Sequence, residues 1–508
     1  MGTYIIRRLL LMIPTIIGIT FLIFMLIALS PGGIGAGLRV AGGQMEATSR
    51  ALQEAYLEDR YGLNDPVVVQ YGRWLSRVSP VKFGEREQIA PDGSRQRAPR
   101  AIDPPVGWQW ITDDLAPAAA EPFAWPDDAT EESKDRTYRR QSNAYAQARA
   151  RSIAAATEFE QALSAYLRAV DLDKFVFGTG KVRPAAIKSH TPNRDLPEWQ
   201  TAQALGEQAL AEYQGAIDER QNKITMLRAK PYREAGVPII PGTLSVAMPD
   251  LGVSFARSRP VSTLIAEALP ITLLLNVIAF VLIYLIAVPS GMLAAARSGT
   301  AIDVGLGALY VALWSFPIPL AGVLAIGFLA SNDYLGAFPV AGLHDSAADT
   351  FAFLPTFSES GAFQRGYLLD SLWHVCLPVL CLVYGGFAVL SKQTRAAMLE
   401  NYNADYVRTA KAKGVAPRDV LFRHVFRNSL LPLITMFVSI FPAMLSGSVV
   451  IERIFSVQGM GNLAIEAINL RDRELILATT LIVGAVNLLA LLLADILYAL
   501  ADPRISYE

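Results

Sequence analysis

Cysteine and histidine are scarce in this 508-residue chain, two and four residues respectively, and their scarcity removes several chemistries at once. Cys376 and Cys381 lie five residues apart in one apolar run. Neither a disulfide framework nor a zinc-ligand spacing is available to them, so both read as small packing residues. His190, His344, His374 and His424 show no paired metal-ligand spacing. Charge is sparse as well: 18% of residues are charged and the formal net charge is -1, which argues against nucleic acid as a partner. With 52% hydrophobic residues and a mean hydropathy of +0.32, the chain is too apolar for an ordinary soluble protein of this length. A phosphate-binding loop is also missing. The one lookalike, Gly178-Thr179-Gly180-Lys181-Val182, lacks a glycine five residues before Gly180 and a Ser/Thr after the lysine.

Long apolar runs are what the chain has in abundance. Six of them, near 9–29, 271–295, 306–329, 372–390, 430–451 and 475–500, approach the roughly 20 helical residues that cross a hydrocarbon core. The first follows Arg7-Arg8 and exceeds the roughly 7–15 residues of a cleaved signal core, so it is expected to stay as a span with its N-terminus inside. Between Ser391 and Leu430, eight Lys/Arg stand against three Asp/Glu, a surplus that places this segment in the cytoplasm. Alternation then puts 330–371, with one Arg against five acids, and 452–474, with three Arg against four acids, on the outer side.

Residues from Pro31 to about Arg259 are also expected outside, and they are too many for a simple connection. Ala146, Ala150, Ile153, Ala156, Phe159, Leu163, Leu167 and Val170 recur at helical spacing. A second stripe, Leu205, Ala209, Tyr213, Ile217, Ile224 and Leu227, is interrupted by Arg220. Prolines between the two predict an antiparallel helical hairpin over about 135–229. The stretch 91–129, rich in Pro, Asp and Ala, is expected to be loop or partly disordered.

The basic segment predicts an elbow. Leu399, Tyr402, Tyr406 and Ala410 mark one face of a helix that stops at Gly414, the residue suited to a left-handed C-terminal cap. Pro417 fits the first turn of a second helix, on which Leu421 with Val425 and Phe422 with Phe426 form i, i+4 apolar pairs while Arg418, Arg423 and Arg427 stay polar. Spacing alone leaves two readings open. Such an elbow can seat an apolar knob in a partner's groove with arginines at the rim, or it can only fix topology and touch lipid headgroups.

The segment resembles the cytoplasmic EAA loop of bacterial ABC importer permeases, in the dipeptide/oligopeptide form. Thr409-Ala410-Lys411-Ala412-Lys413-Gly414 and Arg423-His424-Val425-Phe426-Arg427-Asn428 carry the likeness. It departs from the wider pattern in having Arg408-Thr409-Ala410 where Glu-Ala-Ala is usual, and in its later Leu431-Pro432. Further segments follow in the same order: the start Met1 to Leu9, Ser30-Pro31-Gly32-Gly33, Tyr61 to Pro66, Gln70 to Leu75, Asp250 to Ser254, Arg259-Pro260-Val261, Ile451 to Ser456 with Gly459-Met460-Gly461, and Asp502-Pro503-Arg504-Ile505. Both ends lean toward the Yej-type branch, associated with oligopeptides and microcin C.

The resemblance implies an all-α polytopic membrane protein: six transmembrane helices of the type I importer permease fold with a MetI-like core, plus a mainly helical extracytoplasmic insertion. Its expected parts are helix 1 over 1–30, an outer segment over 31–79, the insertion over 80–249, and the permease core over 250–508 with a coupling loop at 391–430. It implies a non-catalytic subunit of the bacterial inner membrane, without cofactor, and with both termini cytoplasmic. Its partners would be a second homologous permease, two cytoplasmic ATPases, a periplasmic or lipid-anchored peptide-binding protein, membrane lipid and the peptide itself. Arg408, Thr409, Ala410, Lys411, Lys413, Gly414, Pro417, Arg423, His424, Arg427 and Asn428 would meet the ATPase. The insertion reads as an inert stalk, as a surface for the binding protein or the sister permease, or as a contact for another envelope partner.

Polar groups within the spans form a second set. Asn276, Ser439, Ser446, Ser448 and Asn487 are candidates for the pathway, with helix-to-helix hydrogen bonding as the alternative for the asparagines and for Asp495. Pro432 and Pro442 can bend the fifth span, and Gly385-Gly386 permits close helix packing. A self-contained channel or secondary transporter would need no coupling elbow, and an envelope scaffold would need no six-span core.

Overall fold

The computed structural model describes residues 2–30, 62, 65–119, 122–177, 180–184, 190–240, 242–254, 256–257, 259–357, 363–430, 432–434, 436 and 449–501. Its contacts divide the chain into two units, one made of Met1–Gly33 with Leu251–Glu508 and the other of Ile34–Asp250.

The first unit opens with helix α1 (Gly2–Leu29). The second unit follows, with α2 (Val67–Val78), β1 (Val81–Phe83), β2 (Gln88–Ile89), β3 (Arg95–Gln96), α3 (Glu131–Ala169), α4 (Pro197–Arg228), β4 (Arg233–Glu234), β5 (Val237–Ile240) and β6 (Leu244–Val246). Helices α3 and α4 run antiparallel, since cross-contacts step in opposite directions: Gln141 bonds Glu219, Arg151 pairs with Glu212, and Tyr166 packs on Trp199. Thr130 caps α3, its hydroxyl accepting from the Ser133 N–H. The sequence stripe holds over the second half of α3, where Phe159, Leu163 and Leu167 are fully buried, and at Ala150; in the first half the buried line is instead Tyr145, Ala148, Ser152 and Ala155, with Ala146, Ile153 and Ala156 only half-buried. Ala155 shares a buried cluster with Ala209 of α4, and Ala148 another with Ala216, and short side chains there let the backbones approach closely.

The stretch expected to be loose is ordered where it is described. Ile111 lies against Gly206, where an added Cβ would meet its Cδ1 at 2.8 Å. Asp218 accepts from the Ala119 N–H at 2.8 Å, and Tyr213 donates to the Ile102 carbonyl at 3.4 Å. With Trp110, Phe123 and Trp125 packed on the hairpin, this stretch is a strap of loop apart from β3 and a single 3-10 turn at Trp108–Trp110, so periodicity could not reveal its packing.

Three short antiparallel strands order as β1-β6-β5, and three more as β3-β2-β4. Val81 pairs with Val246, the Ala247 N–H donates to the Pro80 carbonyl at 2.9 Å, and the Asp250 N–H to the Arg77 carbonyl at 3.2 Å. The chain therefore enters and leaves the bulk of this unit at one stem.

The first unit resumes with β7 (Val253–Ser254), β8 (Arg259–Pro260), α5 (Val261–Ala296), α6 (Ala301–Ser315), α7 (Ile318–Ala325) with a π-helical continuation over Ile326–Ala330, β9 (Thr356–Phe357), β10 (Phe363–Gln364) and α8 (Gly366–Tyr402). It ends with α9 (Asp405–Ala412), α10 (Pro417–Asp419), a π-helical segment Val420–Phe426, α11 (Val449–Ile454), α12 (Met460–Asn469) and α13 (Arg473–Ala501). Four of these helices, α1, α5, α8 and α13, are long and apolar enough to cross a membrane, and α6 with α7 and its continuation makes a fifth if the bent pair is one span. The expected third span is thus not straight: it turns by 86° at Phe316-Pro317, where a proline bars continuation of the helix and holds its predecessor extended. The expected fifth run, 430–451, lies largely outside the described residues.

Close approach holds the spans together. A Cβ on Gly386 of α8 would meet Ile283 Cδ1 at 2.6 Å, and one on Gly291 of α5 would meet the Ser391 carbonyl at 2.6 Å. Ser290 and Ser391 share a hydroxyl hydrogen bond of 2.9 Å along the same seam. Cys381 is buried in the adjoining core with Leu377 and Val383. At the other side of the unit, Asp495 of α13 accepts from Tyr4 at 2.8 Å and pairs with Arg8 at 3.1 Å, so this carboxylate joins two helices.

Candidate functional site

The basic segment folds as an elbow, in three pieces rather than the two expected. Helix α8 ends at Tyr402 and α9 begins at Asp405, so Leu399 and Tyr402 sit on one helix and Tyr406 and Ala410 on the next. The buried face of α9 is Val407 and Ala410, while Tyr406 is exposed. The break reflects a local competition: the Asn401 amide donates to the Ala397 carbonyl at 2.9 Å and to Ser429 Oγ at 3.1 Å, and its carbonyl accepts from Tyr406 Oη at 2.6 Å. Ser429 is fully buried and donates back toward the Val425 carbonyl at 2.9 Å. Asn401, Tyr406 and Ser429 therefore latch the return strand of the elbow to the end of α8. Sequence spacing does not reveal this latch, because Asn401 and Ser429 are 28 residues apart and Tyr406 reads from its spacing as part of a helix face rather than as a hydrogen-bond donor.

Gly414 stands at φ +76° with open space around a would-be Cβ. Its conformation, not crowding, demands glycine. The Gly414 N–H donates to the Lys411 carbonyl and the Val415 N–H to the Ala410 carbonyl, which closes the end of α9 in the left-handed manner. Pro417 opens the next turn as expected of a first helical position.

Beyond Asp419 the expected α-helix is replaced by π-helical turns over Val420–Phe426. The buried residues are accordingly Val420 and Val425, five apart, and not the i, i+4 pairs; Leu421 is half-buried and Phe422 is exposed. A π turn hydrogen-bonds i to i+5, so residues five apart share a face. Val407, Val420 and Val425 pack on Met292 and Ala295 of α5 and Met398 of α8. The elbow is thereby seated on the ends of two spans.

Its outward face is cationic. Arg408, Lys411, Lys413, Arg423 and Arg427 are exposed, with Thr409, Pro417 and Asn428 beside them and His424 half-buried. Ala410 alone of the predicted set lies on the underside. Arg408 is 3.6 Å from Asp405, Lys411 stands over the Tyr402 ring, Thr409 donates to the Asp405 carbonyl, and the Asn428 amide to that of His424. Arg395 is different: its guanidinium grips Asp303 at the start of α6 through two bonds of 2.6 and 2.7 Å, and Asp303 also accepts from the Gly299 N–H. That pair is a brace between α6 and α8 close to the elbow, and one of the counted positive charges is neutralised by it.

Of the pathway candidates, Asn276 is half-buried and donates to the Thr272 carbonyl of its own helix at 2.8 Å. Asn487 is exposed on α13. Ser439, Ser446 and Ser448 lie outside the described residues, as do Leu431, Pro442 and the segments at 31–33 and 502–505.

A second polar cluster was not anticipated. Glu452, almost fully buried, accepts from Thr272 Oγ1 of α5 at 3.0 Å and from the Asn462 N–H at 2.9 Å, while Thr272 accepts from the Met460 N–H at 2.7 Å. Together they satisfy free N–H groups at the start of α12. A glycine at 459 suits this junction, since a side chain there would press on Glu452.

Long apolar helices with a cation-bearing elbow seated on the ends of two of them define a polytopic membrane protein. The family described as the binding-protein-dependent transport system inner membrane component matches residues 287–507, which span the elbow and the last helices. The chain is 37% identical over 260 residues to the inner membrane ABC transporter permease protein YejB of Escherichia coli O157:H7, covering 51% of this chain and 68% of that one. It is 38% identical over 261 residues to the oligopeptide transport system permease protein AppB of Bacillus subtilis, 51% and 76% of the two chains. It is 34% identical over 269 residues to the di/tripeptide transport system permease protein DppB of Pseudomonas aeruginosa, 52% and 79%. The chain belongs to this family of permeases, the non-catalytic inner-membrane subunits of binding-protein-dependent ABC importers.

Proposed function

We propose that this subunit imports peptides, forming half of a translocation pathway with a second homologous permease and coupling to a cytoplasmic ATPase through the elbow at 405–428. The peptide assignment follows the relatives named above. The coupling assignment is carried by one observation: the elbow buries its valines against the ends of α5 and α8 and turns Arg408, Lys411, Lys413, Arg423 and Arg427 outward. A push on that outer face reaches two spans directly, because the underside is packed on them. In this reading the termini and the elbow are cytoplasmic, and residues about 31–260 lie on the opposite side, where a binding protein delivers the peptide. Asn276 and Asn487, with Ser439, Ser446 and Ser448, remain proposed pathway groups, and the exposed Asn487 amide in an apolar helix suits a face covered by protein or lined by water.

Gly414→Val tests the coupling. A β-branched residue resists the left-handed conformation by about 1–2 kcal/mol, enough to weaken docking about tenfold if the elbow must regain its shape. The expected result is normal membrane insertion with ATPase co-purification and peptide uptake both sharply reduced. Unchanged uptake would sink the assignment.

A further inference from the structure

The second unit carries an apolar surface that its own fold leaves uncovered. In the β1-β6-β5 sheet, β5 is an edge strand whose four residues, Val237, Pro238, Ile239 and Ile240, are all exposed. Phe83, at the end of the other edge strand, and Met248, just past β6, are each 83% exposed. A contiguous group of large exposed apolar side chains marks a surface that meets something. Pro238 removes a donor from the edge strand and blunts it against pairing with another chain's strand, so the sheet is poorly suited to a partner that docks by strand addition.

Cations flank the same sheet. A cleft of about 610 Å³ bordered by Pro238 and Gly242 is lined by Arg86, Arg97, Arg228 and Lys230. An adjoining cleft of about 400 Å³, bordered by Val81 and Phe83, shares Arg86 and Arg97 and adds Lys82. Three carboxylates, Glu85, Glu87 and Glu234, share the larger cleft; Arg86 and Lys230 both pair with Glu234, and Glu87 lies 3.3 Å from Arg95 and 3.9 Å from Arg97, so that with Arg77 and Lys82 of the smaller cleft six lining cations stand against three carboxylates. Positive charge is in excess. Exposed hydrocarbon side chains on a sheet whose adjoining clefts carry guanidinium and ammonium groups are matched by a phospholipid surface, with acyl chains for the first and phosphates for the second.

We infer that the β1-β6-β5 sheet rests on the bilayer surface, with Phe83, Ile239 and Met248 among the acyl chains and Arg86, Arg97, Arg228 and Lys230 at the headgroup phosphates. The orientation proposed above decides only which leaflet it meets.

The test uses the full-length chain in nanodiscs of phosphatidylcholine and phosphatidylglycerol containing a phospholipid with a photoreactive acyl chain, with adducts mapped by mass spectrometry. Adducts are expected on peptides holding 81–83 and 237–248 as well as on the spans, and the first group should vanish in Phe83→Asp/Ile239→Asp/Met248→Asp while the second persists. Adducts confined to the spans in the unmodified chain would overturn the inference, and that arm needs no variant to fold. As a second measurement, Met248→Cys labelled with an environment-sensitive fluorophore should be quenched by spin-labelled lipid. Water-like emission untouched by the quencher overturns it, and so does shielding that arises only when a soluble binding protein is added. Reaction of a cysteine placed in 131–169 with an impermeant thiol reagent reports the side of the membrane separately, so a wrong orientation and a missing lipid contact give different results.

Discussion

Glu452 lies just beyond the apolar run that ends at 451, and its chemistry follows from what surrounds it. Burial pushes its carboxyl above the ordinary glutamate value, and the bonds from Thr272 and from the N–H groups at the start of α12 oppose that rise without cancelling it. A raised value in the folded state means that the folded chain holds the proton more tightly than the unfolded one. The resulting stability is fully present below the unfolded carboxyl's range and is lost as pH rises through the folded value. Glu452→Gln removes that titration and keeps one carbonyl acceptor for the α12 N–H groups, while its amide N–H₂ takes the place of the oxygen that accepts from Thr272, costing about 1–3 kcal/mol where that hydroxyl finds no other acceptor. The expected outcome is a lower melting temperature for the variant, together with loss of the parent's decline as pH rises above the ordinary glutamate range. A parent melting temperature that is flat with pH would contradict this account of Glu452. Asp303 with Arg395 and Asp495 with Arg8 are residue-scale braces of another kind, each joining two helices that are distant in sequence.

At the scale of elements, the elbow is governed by where its helices break. The Asn401–Tyr406–Ser429 latch ends α8, the left-handed Gly414 ends α9, and the π turns bring Val420 and Val425 onto one face. The valines are committed to the spans below, which frees the arginines for a partner. If Arg423 and Arg427 form rim ion pairs with an ATPase, replacing both with glutamine should weaken association most at low ionic strength. The deficit should shrink as added salt shortens the screening length from about 30 Å at 0.01 M to about 8 Å at physiological strength. A deficit independent of salt would assign the contact to packing, with the exposed Phe422 as its source. The bent α6–α7 pair shows the same rule elsewhere: two prolines at 317 and 319 divide one apolar run into two helices at a steep angle.

For the whole molecule, the stem at Arg77–Asp250 and Pro80–Ala247 gives residues 77–250 the form of a module whose ends are adjacent. Excising 80–249 and rejoining the chain with a short glycine-serine linker is expected to leave a subunit that still inserts in the membrane and retains its elbow. Failure to insert would show that the segment belongs to the permease core. The amino-acid sequence by itself determined the membrane class, the apolar runs, the glycine that hinges the elbow and the family resemblance, because hydropathy, charge bias and a demand for positive φ are local properties written residue by residue. It also foretold the helices on either side of the proline-containing turn, since a 3.6-residue period persists through them. Only the tertiary structure decided which face of each helix is buried, that residues 401, 406 and 429 lock together, that Glu452 and Thr272 cap a helix from elsewhere in the chain, and that the strap at 91–119 is ordered. Those outcomes depend on pairings between residues far apart in sequence, where shape and unsatisfied hydrogen-bonding groups select a partner that no local pattern names.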